Sequence, residues 1–288
     1  MTRTHKKHEH EHDSRINIQG VEIALGFPDD LAFEWIGQKD VMDQLLASWL
    51  VIDKEDLPLN PRLVGKPGVG KTTLAYAAAK RIDRDVYIFQ CTMDTRPEDL
   101  LITPVVNEEG GIRYAASALV TAMVRGGVCI LDEANRMSEK SWASLAPLLD
   151  TRRYIESIVA GLKIQADDAF RICVTMNEDA STFEIPEYIH SRLQPQIFLD
   201  FPEAEEERRI LKENLPFVDD VIMDYVVDFL QRAHSSNENY TVRDGINIAR
   251  YAAKRIKSLG ASGPNNIENL LRQSIVMTLG DEALVHVL

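Results

Sequence analysis

The stretch between Gly65 and Thr72 carries residue types at a spacing that suits phosphate binding. It fits the pattern G-x-x-x-x-G-K-[ST] of phosphate-binding loops. The glycines let backbone N–H groups turn inward around a phosphate, and Lys71 would place its ammonium on the β- and γ-phosphates of a nucleotide. The Thr72 hydroxyl is suited to bind Mg²⁺. The alternative is a glycine-rich turn with a chance lysine. The residues predicted to bind the nucleotide are Gly65, Pro67, Gly68, Val69, Gly70, Lys71, Thr72 and Thr73.

Two acidic residues follow a short apolar run further along the chain. Residues 128–131 are Val-Cys-Ile-Leu, and such a run indicates a strand buried on both faces, as in a parallel sheet. Asp132 and Glu133 then fall at the carboxyl end of the strand, where open α/β sheets bind their ligands. Asp132 can hold the Mg²⁺ shell, and Glu133 can take a proton from an attacking water. The alternative is an acidic pair that faces solvent.

Two further residues stand where they could act on a phosphate. Asn177 ends the apolar run 171–177 and can orient water near the γ-phosphate; otherwise it is a turn asparagine. Thr241 is predicted to cap a helix, which places Arg243 in the first turn, where a cation opposes the helix dipole. That local cost suggests that Arg243 serves an anion. The alternative is an exposed arginine that merely tolerates the position.

The periodicity of the chain predicts the elements that must position these residues. The P-loop lies between a short strand ending at residue 64 and a helix over 72–81. Further strands are predicted at 85–91, 128–131, 171–177 and 196–200, hairpins at 104–114 and 154–165, and helices at 41–50, 116–125 and 138–149. After Pro202 only helices follow, at 203–213, 219–234, 242–257 and 265–279. The predicted fold class is α/β, a parallel five-stranded sheet with flanking helices followed by a small all-helical domain. The predicted boundaries are a disordered, histidine-rich tail over 1–19, an α/β nucleotide-binding domain over 20–201 and a helical lid over 202–288.

Composition and charge narrow the class of protein. The net charge of −13 disfavours a general nucleic-acid or anionic-membrane binder. No run of 18 apolar residues occurs and the N-terminus lacks an apolar signal segment, so no membrane association is predicted. Cys91, Cys129 and Cys173 lie far apart in or beside apolar runs, which indicates buried, reduced thiols in a cytoplasmic protein. The histidine-rich residues 1–14 are predicted to be a disordered terminus rather than a metal-binding tail.

In combination these motifs resemble those of an AAA+ ATPase. Within that class they are similar to the MoxR and CbbQ branch, which is close to the dynein-related ATPase domains, and the resemblance covers about residues 20–285. It rests on 65–72 as the Walker A motif and on 128–136, Val-Cys-Ile-Leu-Asp-Glu-Ala-Asn-Arg, as the Walker B motif. The segment Ile36-Gly37-Gln38 matches the family before the first helix, and the two predicted hairpins fall where this branch inserts hairpins.

The resemblance implies roles for single residues outside the two Walker motifs. It makes Asn177 the first sensor residue, Arg192 the arginine finger and Arg243 the second sensor residue. The finger segment 190–193 is His-Ser-Arg-Leu, whereas relatives usually have phenylalanine after the arginine. The implied cofactors are ATP and Mg²⁺.

The resemblance also implies a cellular activity. Relatives hydrolyse ATP to remodel or activate a client protein, form homo-oligomeric, hexameric rings with nucleotide at the subunit interfaces, and often work with a protein that carries a von Willebrand factor A domain. The sequence does not identify the client.

P-loop proteins also have other functions, which the sequence favours less. The main alternative is a nucleic-acid-associated motor, McrB-like or helicase-loader-like, which the net charge of −13 disfavours. A GTPase would carry an Asn-Lys-x-Asp segment after a strand, and the sequence has none. The acidic pair and the helical lid fit hydrolysis better than a small-molecule kinase. A non-enzymatic scaffold does not need Lys71, Asp132 and Glu133 together.

Overall fold

The computed structural model describes residues 14–31, 35–106, 110–178, 184–259 and 264–287. The chain divides into two compact units. The first contains most of the chain up to Phe198, and the second runs from Leu199 onward and also includes Trp35–Lys39 and Gly65–Gly70. This division falls three residues before the predicted end of the nucleotide-binding domain at 201, and it adds two short segments to the helical part that the sequence did not indicate.

A five-stranded sheet forms the centre of the first unit. Its strands are β3 (Arg62–Gly65), β4 (Val86–Gln90), β7 (Val128–Asp132), β10 (Arg171–Asn177) and β11 (Gln196–Leu199), in the order β11-β3-β10-β7-β4. β7 pairs in parallel with β10 on one side and with β4 on the other. The predicted α/β fold class, a parallel five-stranded sheet with flanking helices, is confirmed.

The central strand β7 explains why the sheet forms in this place. Its residues from Val128 to Leu131 are fully buried, and burial of each large apolar side chain contributes about 1.5–3 kcal/mol. The helices of this unit are α1 (Lys39–Trp49), α2 (Lys71–Arg81), α3 (Ala118–Arg125), α4 (Glu139–Leu145) and α5 (Glu187–His190). Contacts with β7 are made by both α2 and α3. Because β7 ends at Asp132, its acidic end emerges from a fully buried segment.

Both predicted hairpins form. β5 (Ile102–Val106) pairs antiparallel with β6 (Ile112–Ala116), and β8 (Tyr154–Ser157) pairs antiparallel with β9 (Leu162–Gln165). β6 also pairs in parallel with β2 (Val21–Ala24), which in turn pairs with β1 (Arg15–Ile18), so that four strands form a second sheet.

The predicted tail over 1–19 is therefore too long at its carboxyl end. Ile16 and Ile18 alternate with polar residues and pack against the core of the unit, which gives this short segment a reason to form a strand. Residues 1–13, with the four clustered histidines, lie outside the described residues.

The second unit is helical after β11. Its helices are α6 (Ala204–Asn214), α7 (Asp220–Ser235), α8 (Val242–Leu259) and α9 (Pro264–Leu279), all within two residues of the predicted bounds. Their apolar faces share one cluster that includes Leu211, Met223 and Ile248. At the start of α8 the Thr241 hydroxyl accepts a hydrogen bond from the Asp244 backbone N–H at 3.3 Å, as predicted for a helix cap.

The three cysteines are free and buried, as the sequence predicts. Burial raises the pKa of the Cys91, Cys129 and Cys173 thiols well above the ordinary range, so each remains a neutral, unreactive thiol. Within the described ranges, the structure contains no helix both long and apolar enough to span a bilayer.

Candidate active site

The loop before α2 adopts a backbone that only glycine accommodates at two positions. Gly68 has φ +80° and Gly70 has φ +96°, in the region that favours glycine. A Cβ on Gly68 would lie 2.8 Å from the Thr241 side chain, and one on Gly70 would lie 3.0 Å from the Trp35 ring. Such a backbone can direct successive N–H groups at an anion, and the N-terminus of α2 follows at once.

The first two residues of α2 carry the polar groups of the motif. The Lys71 side chain is buried, with 6% of the residue exposed. The Thr72 Oγ1 donates to Asp132 Oδ1 at 2.7 Å, which joins the start of α2 to the end of β7. The structure thus brings together the two residues that the sequence predicted to bind Mg²⁺.

A residue that the sequence analysis missed joins the two acidic side chains. The Thr175 hydroxyl, fully buried in β10, donates to Asp132 Oδ1 at 2.6 Å and accepts from the Glu133 backbone N–H at 2.9 Å. One carboxylate oxygen of Asp132 therefore accepts from both Thr72 and Thr175. Thr175 precedes Asn177 by two residues, so the strand period places both side chains on one face, which is the signal that could have found it.

Glu133 occupies an unusual backbone conformation. Its φ of 53° and ψ of 40° lie in the left-handed region, which is costly for a residue other than glycine. Its carboxylate is engaged at both oxygens: Asn177 Nδ2 donates to Oε1 at 3.2 Å, and Arg136 Nε donates to Oε2 at 2.6 Å. Three groups, a hydroxyl, an amide and a guanidinium, therefore restrain the carboxylate and its backbone.

Asn177 is itself held by a second buried amide. Asn135 Nδ2 donates to the Asn177 carbonyl oxygen at 2.8 Å, and the Asn177 backbone N–H donates to Asn135 Oδ1 at 3.3 Å. Both residues are 6% exposed. Neither Asn135 nor Arg136 was assigned a role from the sequence, although both lie in the quoted 128–136 motif.

Arg192 lies elsewhere in the same unit, just after α5. Its guanidinium donates to the Tyr188 carbonyl oxygen and lies 3.6 Å from Asp150 Oδ2. Its side chain is 28% exposed. Hydrogen bonds from Arg152 and the charge of Arg192 lower the pKa of Asp150 to about 2, so this carboxylate is ionised across the working pH range. Within the described chain the structure does not bring Arg192 to the Glu133 carboxylate.

Arg243 lies in the first turn of α8, in the second unit, and is exposed. In the parts of the chain that are described, its side chain has no hydrogen bond or ion pair. Its neighbour Thr241 is the residue that a Cβ on Gly68 would strike. The start of α8 therefore lies against the phosphate-binding loop, with an exposed cation two residues further on.

Comparison with known proteins agrees with this geometry. Residues 62–193 match the model of the AAA domain (dynein-related subfamily), a segment that contains β3, both Walker motifs and Arg192. An uncharacterized protein of Staphylococcus aureus (strain NCTC 8325) is 28% identical over 179 residues, which are 60% of this chain and 68% of that protein. An uncharacterized protein of Staphylococcus haemolyticus is 25% identical over 232 residues, or 79% of this chain and 87% of that protein.

The fold also matches solved structures. The chain is similar to Thermotoga maritima RuvB, described as a Holliday junction branch migration motor, with a TM-score of 0.58 and 18% identity over 84% of this chain and 70% of that one. At this identity the likeness concerns the fold alone. Residues 62–193 are thus similar to a dynein-related AAA domain, and the chain has the P-loop AAA+ fold followed by a helical region.

Proposed function

We propose that this chain is an ATPase of the AAA+ class that binds ATP with Mg²⁺ and hydrolyses it to ADP and phosphate. The observation that carries the proposal is the junction of α2 and β7. The Thr72 hydroxyl lies 2.7 Å from Asp132 Oδ1, while the next residue, Glu133, presents a carboxylate restrained by Asn177 and Arg136. The proposed metal-binding pair, Thr72 and Asp132, therefore adjoins the proposed base, Glu133, and Thr72 follows the phosphate-binding loop directly in the chain.

The residues fit the implied cofactors. Gly68 and Gly70 leave a cradle that a Cβ would fill, and a hydroxyl with a carboxylate oxygen is the hard donor set that Mg²⁺ takes besides phosphates and water. Among the described residues, no group of three or more His, Cys, Asp or Glu side chains is arranged to hold a metal ion. Bound Mg²⁺ would neutralise charge on the phosphates, and Lys71 would contribute its ammonium on the β- and γ-phosphates.

Glu133 is the proposed general base. Among the described residues, Asn177 donates one hydrogen bond to its Oε1 and Arg136 donates one to its Oε2, and a carboxylate has about four acceptor sites, so it can still accept from a water. Thr175 fixes its backbone N–H, and Asn177 and Arg136 fix its two oxygens. These contacts determine where the proton acceptor lies, while Asn177 is the proposed residue that orients the water near the γ-phosphate.

The proposed assembly is a homo-oligomeric ring, hexameric as in the MoxR and CbbQ branch, with Arg192 acting on the nucleotide of a neighbouring subunit and Arg243 on its own. Such a ring would remodel or activate a client protein, with a von Willebrand factor A domain protein as the expected partner. The position of Arg192 after α5, within the segment that matches the AAA domain, supports this role. The competing interpretation is that it serves only its ion pair with Asp150.

Three buried, free thiols support a reducing, cytoplasmic location.

A nucleic-acid motor remains the alternative proposal. The fold likeness to RuvB does not carry that protein's activity to this chain, and a net charge of −13 opposes general binding to a polyanion. A salt-dependent DNA shift assay distinguishes the two proposals, because a nucleic-acid motor would bind DNA more tightly at low salt.

The proposed ATPase activity is tested with Glu133→Gln. The amide keeps the shape but cannot accept the proton, so we expect turnover to fall about 10²- to 10⁴-fold while ATP binding by calorimetry is retained. Glu139→Gln is the matched control, because Glu139 is exposed and lies six residues further along the chain. Turnover of the Glu133 variant at the wild-type rate would place the base elsewhere. The ATP-bound variant also serves to capture the client protein.

A further inference from the structure

Arg62 is a buried cation with uncharged partners. It is the first residue of β3, is 7% exposed, and its Nη1 lies 2.6 Å from His190 Nδ1 while its Nη2 donates to Gln196 Oε1 at 2.5 Å. Its Nε is buried and, in the described part of the molecule, has no hydrogen-bond partner. Toward the described residues, the guanidinium, which is always charged, thus has unused donors and no carboxylate paired with it.

A buried positive charge such as that of Arg62 destabilises the folded protein unless other groups compensate it. Burial lowers the pKa of Arg62, and no acidic side chain among the described residues opposes this shift. Arg153, which is also buried, donates instead to the carbonyl oxygens of Asp167 and Phe170 and lies over the Phe170 ring. Uncompensated buried charges cost several kcal/mol, so the environment of Arg62 is suited to an anion that enters it.

The guanidinium borders a cavity of about 360 Å³ in the first unit. The walls include Asn135 and Asn177 from the candidate active site, together with His190 and Gln196. This is room for roughly ten waters at about 30 Å³ each, which is ample for a small hydrated anion. Because Asn177 also donates to Glu133 Oε1, the cavity adjoins the proposed base.

Both hydrogen-bond partners of Arg62 keep N–H groups that can still donate to a ligand. A guanidinium has no acceptor, so His190 Nδ1 accepts from it, and a neutral imidazole then carries its proton on Nε2. Gln196 uses its carbonyl oxygen on Arg62 and retains its NH₂ group. Glu184 is the one acidic residue among the described walls, and it is exposed, so solvent screens its charge. The remaining repulsion by Glu184 would limit the affinity of the cavity for an anion. A limited affinity suits an anion that binds only briefly before it leaves the protein.

We infer that this cavity is a site for inorganic phosphate, in which Arg62 binds the phosphate produced at Glu133 and Asn177 before it leaves the protein. The inference rests on the proposed ATPase function. A guanidinium forks onto phosphate oxygens with two parallel hydrogen bonds, and the amide and imidazole donors add to them. Phosphate is preferred over a carboxylate ligand because the cavity shares Asn177 with the site where phosphate would be formed.

Binding is tested without turnover, by the thermal stability of Lys71→Ala, in which the phosphate-binding loop lacks its ammonium. Without nucleotide and at equal ionic strength, we expect millimolar phosphate to raise the Tm and acetate not to. Adding Arg62→Met should abolish the shift, whereas Arg153→Met should preserve it, which separates site binding from the general stabilisation by phosphate. An equal shift in the Arg62 variant, or an equal shift with acetate, overturns the inference.

Inhibition kinetics give a second measurement with a milder variant, Arg62→Lys. This variant keeps the positive charge but loses the two parallel N–H donors of the guanidinium. Inhibition of ATP turnover by added phosphate should weaken about tenfold in this variant, while inhibition by ADP stays as in the wild type. Unchanged phosphate inhibition overturns the inference although turnover persists. Absence of turnover in the wild type would instead contradict the proposed ATPase, and the thermal measurement would still decide whether Arg62 binds phosphate.

Discussion

Arg136 Nε lies 2.6 Å from Glu133 Oε2, so a cation holds one oxygen of the proposed base. The pair spans one turn of the chain, from a residue in the left-handed conformation to the end of the short 3-10 helix Ala134–Arg136. The two side chains are 27% and 34% exposed, which makes the pair too open to contribute much to stability. Its contribution is instead to the direction of the carboxylate, since Asn177 restrains only the other oxygen.

Arg136→Ala is therefore expected to impair catalysis more than folding. We expect kcat to fall about tenfold with the KM for ATP little changed, because a base that is slightly misplaced loses rate rather than substrate affinity. Arg136→Lys should recover part of the rate, since an ammonium can still bind the carboxylate. Steady-state kinetics of both variants check this, with unfolding in urea expected to change by about 1 kcal/mol or less.

The control for Arg136 is another arginine in an ion pair. Arg15 pairs with Glu22 at 2.9 Å on the exposed surface. Arg15→Ala should leave both kcat and KM unchanged. A wild-type kcat in Arg136→Ala would mean that Thr175 and Asn177 alone position the base.

Thr175 provides the second prediction. Thr175→Val removes the hydroxyl that donates to Asp132 and leaves the Glu133 N–H without its acceptor, in a backbone that is already costly. We expect a loss of about 1–3 kcal/mol in the free energy of unfolding, together with a lower kcat. Urea unfolding and ATP turnover measure the two effects.

Thr175→Ser is the matched variant for this position because it keeps the hydroxyl and deletes only a methyl group. It should retain turnover and most of the stability. If Thr175→Ser loses stability and turnover while Thr175→Val keeps both, the methyl packing of this fully buried residue matters and the hydrogen bonds do not.

Features of the site that have a local sequence signature were predicted, whereas contacts that depend on the folded backbone were not. The apolar run 128–131 and the G-x-x-x-x-G-K-[ST] pattern predicted β7, the P-loop and the meeting of Thr72 with Asp132, since buried strands and glycine-rich loops have local signatures. The contact of Arg136 with Glu133 depends on a left-handed φ at a glutamate, which has no local signature. Arg62 was missed for a related reason, because only the packing of α5 and β11 shows that a strand-initial arginine is buried.

β1 and β2 were missed because each has four residues and is flanked by charged and polar residues. Such segments become strands through pairing with β6, which is distant in the sequence. The helices of the second unit were predicted within two residues, since apolar periodicity over 11 or more residues is a strong local signal.

The third prediction concerns pH and a buried acid in α6. Glu207 is fully buried, and burial raises its pKa to about 7, although Gln231 Nε2 donates to Oε2 at 2.8 Å. The folded chain then holds a proton that the unfolded chain releases above about pH 4.5. This contribution to stability is fully present below pH 4.5 and is lost as the pH rises through 7, by up to about 3 kcal/mol.

The nearest titrating neighbour opposes this trend. His234 Nδ1 lies 3.9 Å from Glu207 Oε1, and burial lowers the pKa of His234, so the folded state favours its neutral form and loses stability as the pH falls. The comparison with Glu207→Gln isolates the acid, because His234 is common to both proteins. Urea unfolding at pH 5, 6, 7 and 8 should show the variant gaining stability relative to wild type as the pH rises. A difference that is constant with pH would show that Glu207 does not titrate in this range.

The final prediction concerns Arg192, whose guanidinium lies 3.6 Å from Asp150 Oδ2 in the isolated chain. If it serves as an arginine finger for a neighbouring subunit, Arg192→Ala should still bind ATP but lose roughly 10³- to 10⁵-fold in turnover. Asp150→Asn removes the same ion pair and keeps the arginine, so it should retain turnover if the pair is incidental. Equal losses in both variants would assign Arg192 to its ion pair with Asp150 alone.

Mixing of subunits decides whether Arg192 acts in trans. Lys71→Ala lacks the ammonium for the phosphates and Arg192→Ala lacks the finger, so each is expected to be inactive alone. A mixed ring contains interfaces at which a wild-type Arg192 faces a wild-type Lys71, and these interfaces should recover part of the turnover. Recovery cannot occur if both residues serve the same chain, because every subunit then carries one defect. Activity that rises on mixing, in proportion to the fraction of such interfaces, therefore supports a shared site and with it an obligate ring. Activity that stays at the level of the separate variants, in a mixture shown to form mixed rings, would restrict Arg192 to its own subunit.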